Sequence, residues 1–522
     1  MRIFVVVSTV LFLPLFVPAS ARADDASKPA KSCESLKTLD LSTTVDKPTH
    51  IESVSTTNFK DAEVCEVRGY IEPAVKFVAS LPVANWDGRF LQVGCGGLCG
   101  HLPDEFSQTY GSAALQSGRM ATAGTDMGHE GPGPEFGDNP QLRTDFAYRG
   151  VHVTAEVAKA LVAAFYGRPA DHSYFLGCSD GGREGLIEAE RYPGDFDGVT
   201  AGAPTMNFLV QNTFYHAWNA TANTGADGKP ILAAKDLPVL HRAALAACGA
   251  VDGVIEDPLR CAFDPATTAC KADETQACLR PEQVEAARKI YAGPHDAQGL
   301  ALTPGGPLPG SELSWEGVFV PRPNSDRIFG RVIASGAIAH LAFAPGEGKN
   351  LKLEDLRYDR ATYEKLMALH PLYDATNPDI SAFAARGGKL LLWHGDWDPH
   401  ISPTNSISFF EGATAALGEA KAKEAMRLFL LPGLYHCGGG IGPVYTDVLG
   451  PIIDWVENGK PPDALIARDH KVSRPVFAYP ALARWDGKGD RAAAASYVPA
   501  PPPAPFVAPP WIGEDLFRAT SK

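Results

Sequence analysis

The sequence has little positive charge, no C-x-x-C pair and, beyond its N-terminus, no long apolar run. Lys and Arg total 47 against 61 Asp and Glu in 522 residues, which leaves a formal net charge of −14. This acidic balance argues against nucleic acid or an anionic membrane surface as the main partner. The missing C-x-x-C pair disfavours a zinc or thioredoxin-like site. The missing apolar run leaves no segment beyond the N-terminus that could cross a bilayer.

The first 23 residues have the pattern of a secretory signal peptide. Arg2 supplies the positive start, residues 3–17 are mostly apolar, and Ala21-Arg22-Ala23 offers a small-x-small cleavage site. We therefore predict cleavage after Ala23 and a secreted or periplasmic protein, with an uncleaved anchor as the alternative. The ten cysteines all lie beyond this segment, which suits an oxidising compartment.

Short strand and helix patterns alternate in two separate parts of the chain. The alternation runs up to about residue 205 and resumes at residue 388. It predicts an α/β fold with a mainly parallel, buried sheet. We therefore assign residues 24–205 and 388–522 to one α/β domain that carries the chemistry, and residues 206–387 to a large lid inserted into it.

Two further segments have a clear local pattern. Residues 151–167 place apolar side chains at helical spacing and end on a glycine, which predicts a helix. The tail at residues 497–511 is too rich in proline for a helix or a central strand, so we expect it to pack as an extended strap.

The segment Gly177-Cys178-Ser179-Asp180-Gly181 matches the G-x-S-x-G pattern of a nucleophile elbow. An apolar strand pattern precedes it and a helix pattern follows, which is the context that such an elbow requires. A structural turn is the alternative. As a nucleophile, the Ser179 hydroxyl would attack an ester carbonyl.

Candidates for the acid and the base follow the serine in the chain. The strand pattern "LLLWHG" ends in two carboxylates, Asp396 and Asp398, and a later strand pattern leads to His436. Ligand sites in open α/β sheets lie at these carboxyl ends. The histidine would take the serine proton and the carboxylate would orient the imidazole. His394 and His400 are rival bases.

The oxyanion of the tetrahedral intermediate needs two backbone N–H donors. One is expected from Asp180, the residue after the nucleophile, and the other from an early strand-to-loop segment. The loop in "VGCGGLCG" fits the second role, with Gly97 as the candidate and Gly96 next to it.

Cys178 precedes the candidate nucleophile and Cys437 follows the candidate base. A disulfide between them would join the elbow to the loop that carries the imidazole. Closing a loop of about 260 residues stabilises the folded chain by roughly 5 to 6 kcal/mol in the chain-entropy model, an upper value. The alternative is that both are free, buried thiols.

The chain resembles the tannase and feruloyl esterase family, which also includes mono(2-hydroxyethyl) terephthalate hydrolases. The resemblance implies an α/β-hydrolase core with a lid that recognises an aromatic acid. The family pattern H-G-x-x-D-x-x-[IV] falls on His394, Gly395, Asp398 and Ile401, which makes Asp398 the acid. The matching segments are "LPVANWDGRFLQVGCGG", "ATAGTDMGH", "GCSDGGREGLIEAERYPGDFDGVTAGAP", "VDGVIEDP", "HGDWDPHIS", "LYHCGG" and "RPVFAYPALARWDGKGD".

The resemblance also implies a structural calcium ion in the lid, within "CGAVDGVIEDPLRC". Asp252 and Glu256 would supply carboxylates, and Val254 and Pro258 would supply backbone carbonyls, all oxygen ligands suited to Ca²⁺. Two departures weaken the match, because Gly249 stands where the family usually has an aspartate and Glu256 replaces another. The alternative is a solvated acidic turn, braced by a disulfide between the two cysteines of this segment.

The same resemblance guides the remaining cysteine pairs, although other connectivities stay open from sequence alone. Family members often have a further pair near the C-terminus, but Phe477 stands at one of those positions and no cysteine follows Cys437. The pairs expected here are Cys33–Cys65, Cys95–Cys99, Cys248–Cys261 and Cys270–Cys278.

We expect a serine carboxylic-ester hydrolase that cleaves esters of aromatic acids, such as hydroxycinnamoyl (feruloyl) or galloyl esters. The substrate would be a small molecule or a group linked to plant polysaccharide or polyphenol, with no nucleic-acid or membrane partner. A mono(2-hydroxyethyl) terephthalate hydrolase, a non-catalytic binding protein of the same fold, and an amidase or peptidase are alternatives. The lid residues considered as ring contacts are Trp218, Trp315, Phe319 and Phe329.

Overall fold

The computed structural model describes residues 28–59, 62–103, 112–271 and 277–519. The predicted signal peptide, residues 1–23, lies outside these ranges. Within them, none of the helices combines the length and the apolarity needed to span a membrane.

A nine-stranded sheet forms the centre of the protein. Along the chain its strands are β1 (Thr49–Phe59), β2 (Ala62–Ile71), β3 (Val75–Pro82), β4 (Arg89–Val93), β5 (Ala121–Thr125), β6 (His172–Cys178), β7 (Gly198–Gly202), β8 (Lys389–Gly395) and β9 (Met426–Leu431). In space the order is β1-β2-β3-β5-β4-β6-β7-β8-β9. The six strands from β5 to β9 in this order are parallel, and β1, β2 and β3 extend one edge as antiparallel strands. The predicted α/β class with a mainly parallel sheet is confirmed.

The parallel strands are buried on both faces, as covering helices require. In β8, Leu390 and Leu392 join one apolar cluster, whereas Leu391 and Trp393 join the cluster on the opposite face. This alternation follows from the two-residue period of a strand. It explains why the sequence of β8 is a continuous apolar run.

Helices cover the sheet and make up most of the regular structure outside it. The α-helices are α1 (Ala113–Gln116), α2 (Pro140–Thr144), α3 (Gly150–Tyr166), α4 (Asp180–Arg191), α5 (Phe208–Val210), α6 (His216–Ala222), α7 (Leu237–Ala247), α8 (Pro281–Ala292), α9 (Phe329–Gly336), α10 (Arg360–Met367), α11 (His370–Tyr373), α12 (Ser381–Ala385), α13 (Thr404–Leu417), α14 (Glu419–Ala425) and α15 (Leu449–Asn458). Helix α3 matches the helix predicted at residues 151–167 and ends at Gly167, whose φ of 73° is left-handed.

Shorter helical turns connect these elements. One-turn π-helices are Asp145–Arg149, Gln211–Tyr215 and Ala337–Leu341. The 3₁₀ turns are Cys33–Thr38, Pro134–Asp138, Ala234–Asp236, Pro258–Arg260, Pro265–Thr268, Glu312–Trp315, Leu353–Asp355, Ala494–Ser496 and Glu514–Phe517.

The long segment between β7 and β8 leaves the sheet and returns to the neighbouring strand. In its described part the named elements are helices, and it has an apolar cluster of its own that includes Leu240, Ile290, Trp315 and Phe319. A separate core is what an inserted subdomain needs in order to hold its shape. It supports our proposal that residues 206–387 form a lid.

Two small sheets lie near the C-terminus, and the tail then crosses to the lid. Their strands are β10 (Tyr445–Thr446), β11 (Ala464–Arg468) and β12 (Ser473–Phe477) in one sheet, and β13 (Leu482–Trp485) and β14 (Tyr497–Ala500) in the other. Beyond β14 the tail is extended until Trp511, which forms a bridge with Ala301 of the lid segment.

Five disulfides join all ten cysteines, in the pairs that the sequence analysis predicts. They are Cys33–Cys65, Cys95–Cys99, Cys178–Cys437, Cys248–Cys261 and Cys270–Cys278.

Trp511→Ala should lower the free energy of unfolding by about 3–5 kcal/mol, because it empties the space of a large buried side chain. Trp511 is 4% exposed and packs near Phe517. Urea unfolding followed by fluorescence would measure the change. Val507→Ala, at a tail position that is 81% exposed, is the matched control. Equal midpoints for both variants would mean that the tail does not brace the lid segment.

Candidate active site

Ser179 lies at the sharp turn between β6 and α4. Its φ of 64° and ψ of −119° are strained for a residue with a side chain. The turn is held by its neighbours: the Ser179 N–H donates to the Gly202 carbonyl (2.9 Å) and the Thr205 N–H donates to the Ser179 carbonyl (3.1 Å). The strain is therefore maintained by the flanking strand β7, and the serine stands at the carboxyl edge of the sheet.

Two glycines let the chain approach itself closely at this turn. A Cβ on Gly177 would lie 2.1 Å from the Gly181 carbonyl oxygen, and a Cβ on Gly181 would lie 2.8 Å from the Cys95 carbonyl oxygen. Both distances are too short for any side chain. The G-x-S-x-G spacing thus follows from packing around the turn.

Asp398 and His436 come from the ends of β8 and β9 and are hydrogen-bonded. His436 Nδ1 donates to Asp398 Oδ2 at 2.6 Å. The other carboxylate oxygen accepts from the backbone N–H groups of His400 (2.7 Å) and Ile401 (3.1 Å). Because Nδ1 is used in this way, Nε2 is the ring nitrogen left for a reacting group.

Asp398 is fully buried and nevertheless ionised. Burial by itself would raise its pKa, but the interaction with His436 and the hydrogen bonds from His394 and His436 outweigh it and hold the pKa below its ordinary range. A fixed negative charge therefore faces the His436 imidazole.

The rival candidates lie in different surroundings. His394 is buried, with Nδ1 next to Ser406 Oγ (2.8 Å) and Nε2 next to the Ile401 carbonyl (3.0 Å). Asp396 is also buried, and its Oδ1 has no hydrogen-bond partner. Burial raises the pKa of Asp396 well above its usual value, and the charges of two nearby carboxylates, Asp257 and Glu256, add to the shift. Asp396 thus lies apart from the His436 hydrogen bond, whereas His394 Nε2 lies 3.2 Å from Asp398 Oδ2 and helps to hold that carboxylate.

One cavity of about 140 Å³ opens at Ser179. It is close in size to an apolar cavity of roughly 150 Å³ that accepts a benzene ring. Its described lining consists of Gly97, Ser179, Thr205, Phe208, Gln211, Asn212, His216, Phe329, Ile333, His400, Ile401 and His436.

Several of these lining residues escaped the sequence analysis. Gln211, Asn212 and His216 follow the carboxyl end of β7 in the chain. Ligand sites in α/β sheets lie at such strand ends, so this position is the feature of the sequence that could have identified them. Of the four lid aromatics considered, Phe329 lines the cavity. Trp315 and Phe319 instead belong to the lid core.

Two imidazoles in the cavity wall are neutral. Burial lowers the pKa of His216 to about 3, with the charge of His436 adding to the shift. Burial, together with His436, also lowers the pKa of His400 well below its usual value. The His400 ring lies 4.7 Å from the His436 ring. These side chains offer hydrogen bonds without positive charge.

The loop with Gly97 is fastened to the elbow helix. The Gly181 N–H donates to the Cys95 carbonyl (2.7 Å), and the Cys95 N–H donates to Glu184 Oε1 (3.2 Å). Gly97 has a left-handed φ of 65° and lines the cavity beside Ser179. This arrangement fastens the Gly97 loop to α4, the helix that begins at Asp180, next to the nucleophile.

Glu184 was not singled out from sequence, although its position one turn after Asp180 places it on the same face of α4. Burial raises the pKa of Glu184 to about 8, with the Asp180 charge adding to the shift and Arg183 opposing it. Arg183 in turn forms a buried ion pair with Asp180 at 2.7 Å. A carboxyl that is largely neutral at pH 7 therefore supports the Gly97 loop.

The disulfide between Cys178 and Cys437 connects the two halves of the site. Its Cα atoms lie 6.0 Å apart, although the cysteines are 259 residues apart in sequence. Ser179 and His436, next to these cysteines, line one cavity as a result.

Two groups of side chains in the described ranges lie close enough together to hold a metal ion. They are Cys95, Cys99, Asp180 and Glu184, and His152, Glu188 and Asp195. In the first group the two cysteines are joined in a disulfide, so they offer no thiolate. Neither group contains a predicted calcium ligand.

The predicted calcium ligands do not fit a calcium ion as they are placed. The Asp252 carboxylate is paired with the Arg474 guanidinium at 2.8 Å. The Val254 carbonyl accepts from the Val251 N–H (2.9 Å), and the Pro258 carbonyl accepts from the Cys261 N–H (3.3 Å). Glu256 is half-buried. The Arg474 guanidinium thus already pairs with Asp252, the exposed acidic side chain of this turn.

The model of the family described as tannase and feruloyl esterase matches residues 60–500. The chain belongs to this family. A mono(2-hydroxyethyl) terephthalate hydrolase of Piscinibacter sakaiensis is 32% identical over 518 residues, covering 84% of this chain and 85% of that protein. Feruloyl esterase B of Aspergillus niger is 32% identical over 411 residues, covering 73% of this chain and 74% of that protein. The family member described here is therefore a carboxylic ester hydrolase, and the alternative of a non-catalytic binder is not supported.

Solved structures agree with this family assignment. Feruloyl esterase B from Aspergillus oryzae superposes on this esterase with a TM-score of 0.77 at 25% identity, over 90% of this chain and 99% of that one. A tannin acyl hydrolase from Aspergillus niger shares the fold, with a TM-score of 0.70 at 22% identity over 87% of this chain and 90% of that one. The α/β-hydrolase fold expected for this esterase is confirmed.

Glu184→Gln should reduce the loss of stability that this carboxyl causes as pH rises. A carboxyl with a raised pKa stabilises the folded protein fully below its ordinary pKa of 4.5, and this contribution is lost as pH rises through about 8. One such group costs up to about 1.4 kcal/mol per pH unit in that window. The decline should fall between about pH 5 and about pH 8. Within this window, for example between about pH 5.5 and about pH 7.5, the free energy of unfolding of the glutamine variant should decline less than that of the wild type.

Glu285→Gln, at an exposed position on α8, is the control and should keep the wild-type slope. Urea titrations at several pH values would give the free energies. A wild-type slope in the Glu184 variant would show that this carboxyl is already ionised in the folded protein.

Proposed function

We propose that this protein is a secreted serine esterase that cleaves esters of aromatic acids through an acyl-enzyme. The observation that carries the proposal is the hydrogen bond from His436 Nδ1 to the buried Asp398. His436 and Ser179 line the same cavity. Along the chain the nucleophile comes first, the orienting carboxylate second and the base last, which is the order found in α/β-hydrolases.

In the proposed mechanism, Ser179 Oγ attacks the ester carbonyl while His436 Nε2 takes the serine proton. The imidazolium is stabilised by Asp398, and the oxyanion accepts hydrogen bonds from the N–H groups of Asp180 and Gly97. His436 then gives the proton to the leaving alcohol. A water molecule activated by the same imidazole hydrolyses the acyl-enzyme and restores Ser179. No step uses calcium, the cation implied by the family resemblance.

The cavity wall supports an uncharged aromatic acyl group with polar ring substituents. Phe208, Phe329 and Ile333 are suited to the faces of a ring, whereas Asn212 and His216 offer hydrogen bonds. The buried Nδ1 of His216 has no hydrogen-bond partner. A ring hydroxyl, as in feruloyl or galloyl groups, would satisfy such an atom.

A terephthalate monoester is the second candidate substrate, favoured by the 32% identity to the Piscinibacter sakaiensis enzyme. Its ring carries a carboxylate, which is best bound by Arg or Lys. Among the described lining residues there is neither an Arg nor a Lys, and His216 is neutral. We therefore place feruloyl or galloyl esters, including groups linked to plant polysaccharide or polyphenol, ahead of the terephthalate monoester.

Secretion is supported by the five disulfides, which persist in oxidising compartments. The predicted signal peptide at residues 1–23 agrees with this proposal. A secreted or periplasmic location would also bring the esterase to extracellular aromatic esters.

A substrate panel tests the proposed function. We expect kcat/KM for methyl ferulate or methyl gallate to exceed that for mono(2-hydroxyethyl) terephthalate and for a simple acetyl ester by at least about tenfold, since each unmatched polar or charged group costs 1.4 kcal/mol or more. Ser179→Ala should lose nearly all activity on every substrate. Equal rates across the panel would contradict the aromatic preference, and activity in the alanine variant would move the nucleophile elsewhere.

Asp398→Asn should reduce kcat by on the order of 10⁴-fold, because an amide stabilises the wrong imidazole tautomer. Asp396→Asn is a matched control two residues away: burial raises the pKa of this carboxyl well above its usual value and it lies apart from His436, so an amide of similar size should leave kcat within about threefold. Steady-state kinetics on one ester, with circular dichroism to verify folding, would measure both. A large loss in the Asp396 variant with a small one in the Asp398 variant would exchange their roles.

A further inference from the structure

The acidic turn of the lid, residues 251–254, is closed by its own backbone. The Val251 and Val254 N–H groups each donate to the other residue's carbonyl, at 2.9 and 3.1 Å. Asp252 and Gly253 between them have φ values of 53° and 81°, as a type I′ turn requires. The turn therefore forms without a cation, and its geometry presents the Asp252 carboxylate outward.

The Arg474 side chain reaches this carboxylate from β12 in the small C-terminal sheet. Its Nη2 donates to Asp252 Oδ2 at 2.8 Å. The guanidinium also donates through Nη1 to the Arg491 carbonyl and lies 4.5 Å from the centre of the Tyr497 ring. The Arg474 side chain is 13% exposed. Three separate contacts thus hold this cation in place.

The charge of the same cation also influences Glu256, the second acidic side chain of the predicted calcium set. The charged groups that act on Glu256 are Arg474, which attracts it, and Asp252, which repels it. The guanidinium paired with Asp252 provides positive charge that a bound cation would otherwise supply.

The remaining groups offer little to a calcium ion. Ca²⁺ requires six to eight oxygen ligands. The carbonyls of Val254 and Pro258 already accept backbone hydrogen bonds, and Gly249 has no side chain to contribute. A calcium ion here would have to share the Asp252 carboxylate with the Arg474 guanidinium, whose other two contacts hold it in place.

We propose that Arg474 takes the place of calcium in this chain. Its guanidinium neutralises the acidic turn from within the protein and ties the lid segment to the C-terminal sheet. The esterase is consequently calcium-independent, in contrast to what the resemblance implies.

The first test uses the wild-type protein. Metal analysis of the purified full chain should find far less than one calcium per molecule. Neither EGTA nor added CaCl₂ should change the midpoint of thermal unfolding. A calcium content near one per chain, or a midpoint that falls in EGTA and recovers with CaCl₂, would overturn the proposal.

The second test removes the cation. In Arg474→Gln, hydrogen exchange of peptides that cover residues 248–261 should become about tenfold faster, because the turn loses its bond to the sheet. Arg474→Lys, which keeps the charge but not the planar fork, should be intermediate. Asp252→Asn removes the negative charge that pairs with Arg474 at an exposed position and should give a similar local increase even if the Arg474 variants fold poorly.

Arg468→Gln is the matched control, because Arg468 is exposed on the neighbouring strand β11. Its exchange in residues 248–261 should equal that of the wild type. If Arg474→Gln exchanged no faster than Arg468→Gln, the guanidinium would have no role in holding the turn, and the proposal would fail.

Discussion

The disulfide between Cys178 and Cys437 is the constraint on which the arrangement of the site depends. It joins positions 259 residues apart in sequence, and in the chain-entropy model such a link contributes roughly 5 to 6 kcal/mol as an upper value. Its second effect is positional. It holds the turn with Ser179 and the loop with His436 at a fixed separation, where an error of about 1 Å can cost on the order of 100-fold in rate. The link also spans residues 206–387, the segment that we propose to be a lid.

Near this disulfide, two neighbouring carboxyls have pKa values that are shifted in opposite directions. Asp398 accepts two backbone N–H bonds and faces two imidazoles, so it is ionised although fully buried. Asp396, two residues earlier, is buried near other carboxylates and has an oxygen without a hydrogen-bond partner, so its pKa is raised well above its usual value. The local donors, and not the depth of burial, decide which carboxyl is able to orient the His436 ring.

Local patterns in the sequence predicted the parallel part of the sheet and the elbow, whereas most of the cysteine pairs were expected from the family resemblance. The sheet and the elbow depend on short-range rules such as apolar runs, glycines that permit close approach, and residues next to strand ends. The antiparallel strands β1, β2 and β3 were not anticipated, because the exposed faces of β1 and β2 interrupt the apolar pattern. The cavity residues after β7 and the partner of Asp252 were missed for another reason. They depend on which distant segments meet: Arg474 is 222 residues from Asp252.

The lid segment departs from β7 and re-enters at β8, and these two strands are hydrogen-bonded neighbours, with Gly202 opposite Trp393. It leaves at the carboxyl end of β7 and enters at the amino end of β8, where Lys389 pairs with Gly198. Its two ends are thus one strand apart across the sheet and roughly 13 Å apart along it. A segment that joins two neighbouring strands and has an interior of its own is suited to exchange as a unit. Evolution could replace it, or an engineer could graft it from a relative, to alter which acyl groups are accepted while the sheet and the hydrolytic machinery stay as they are.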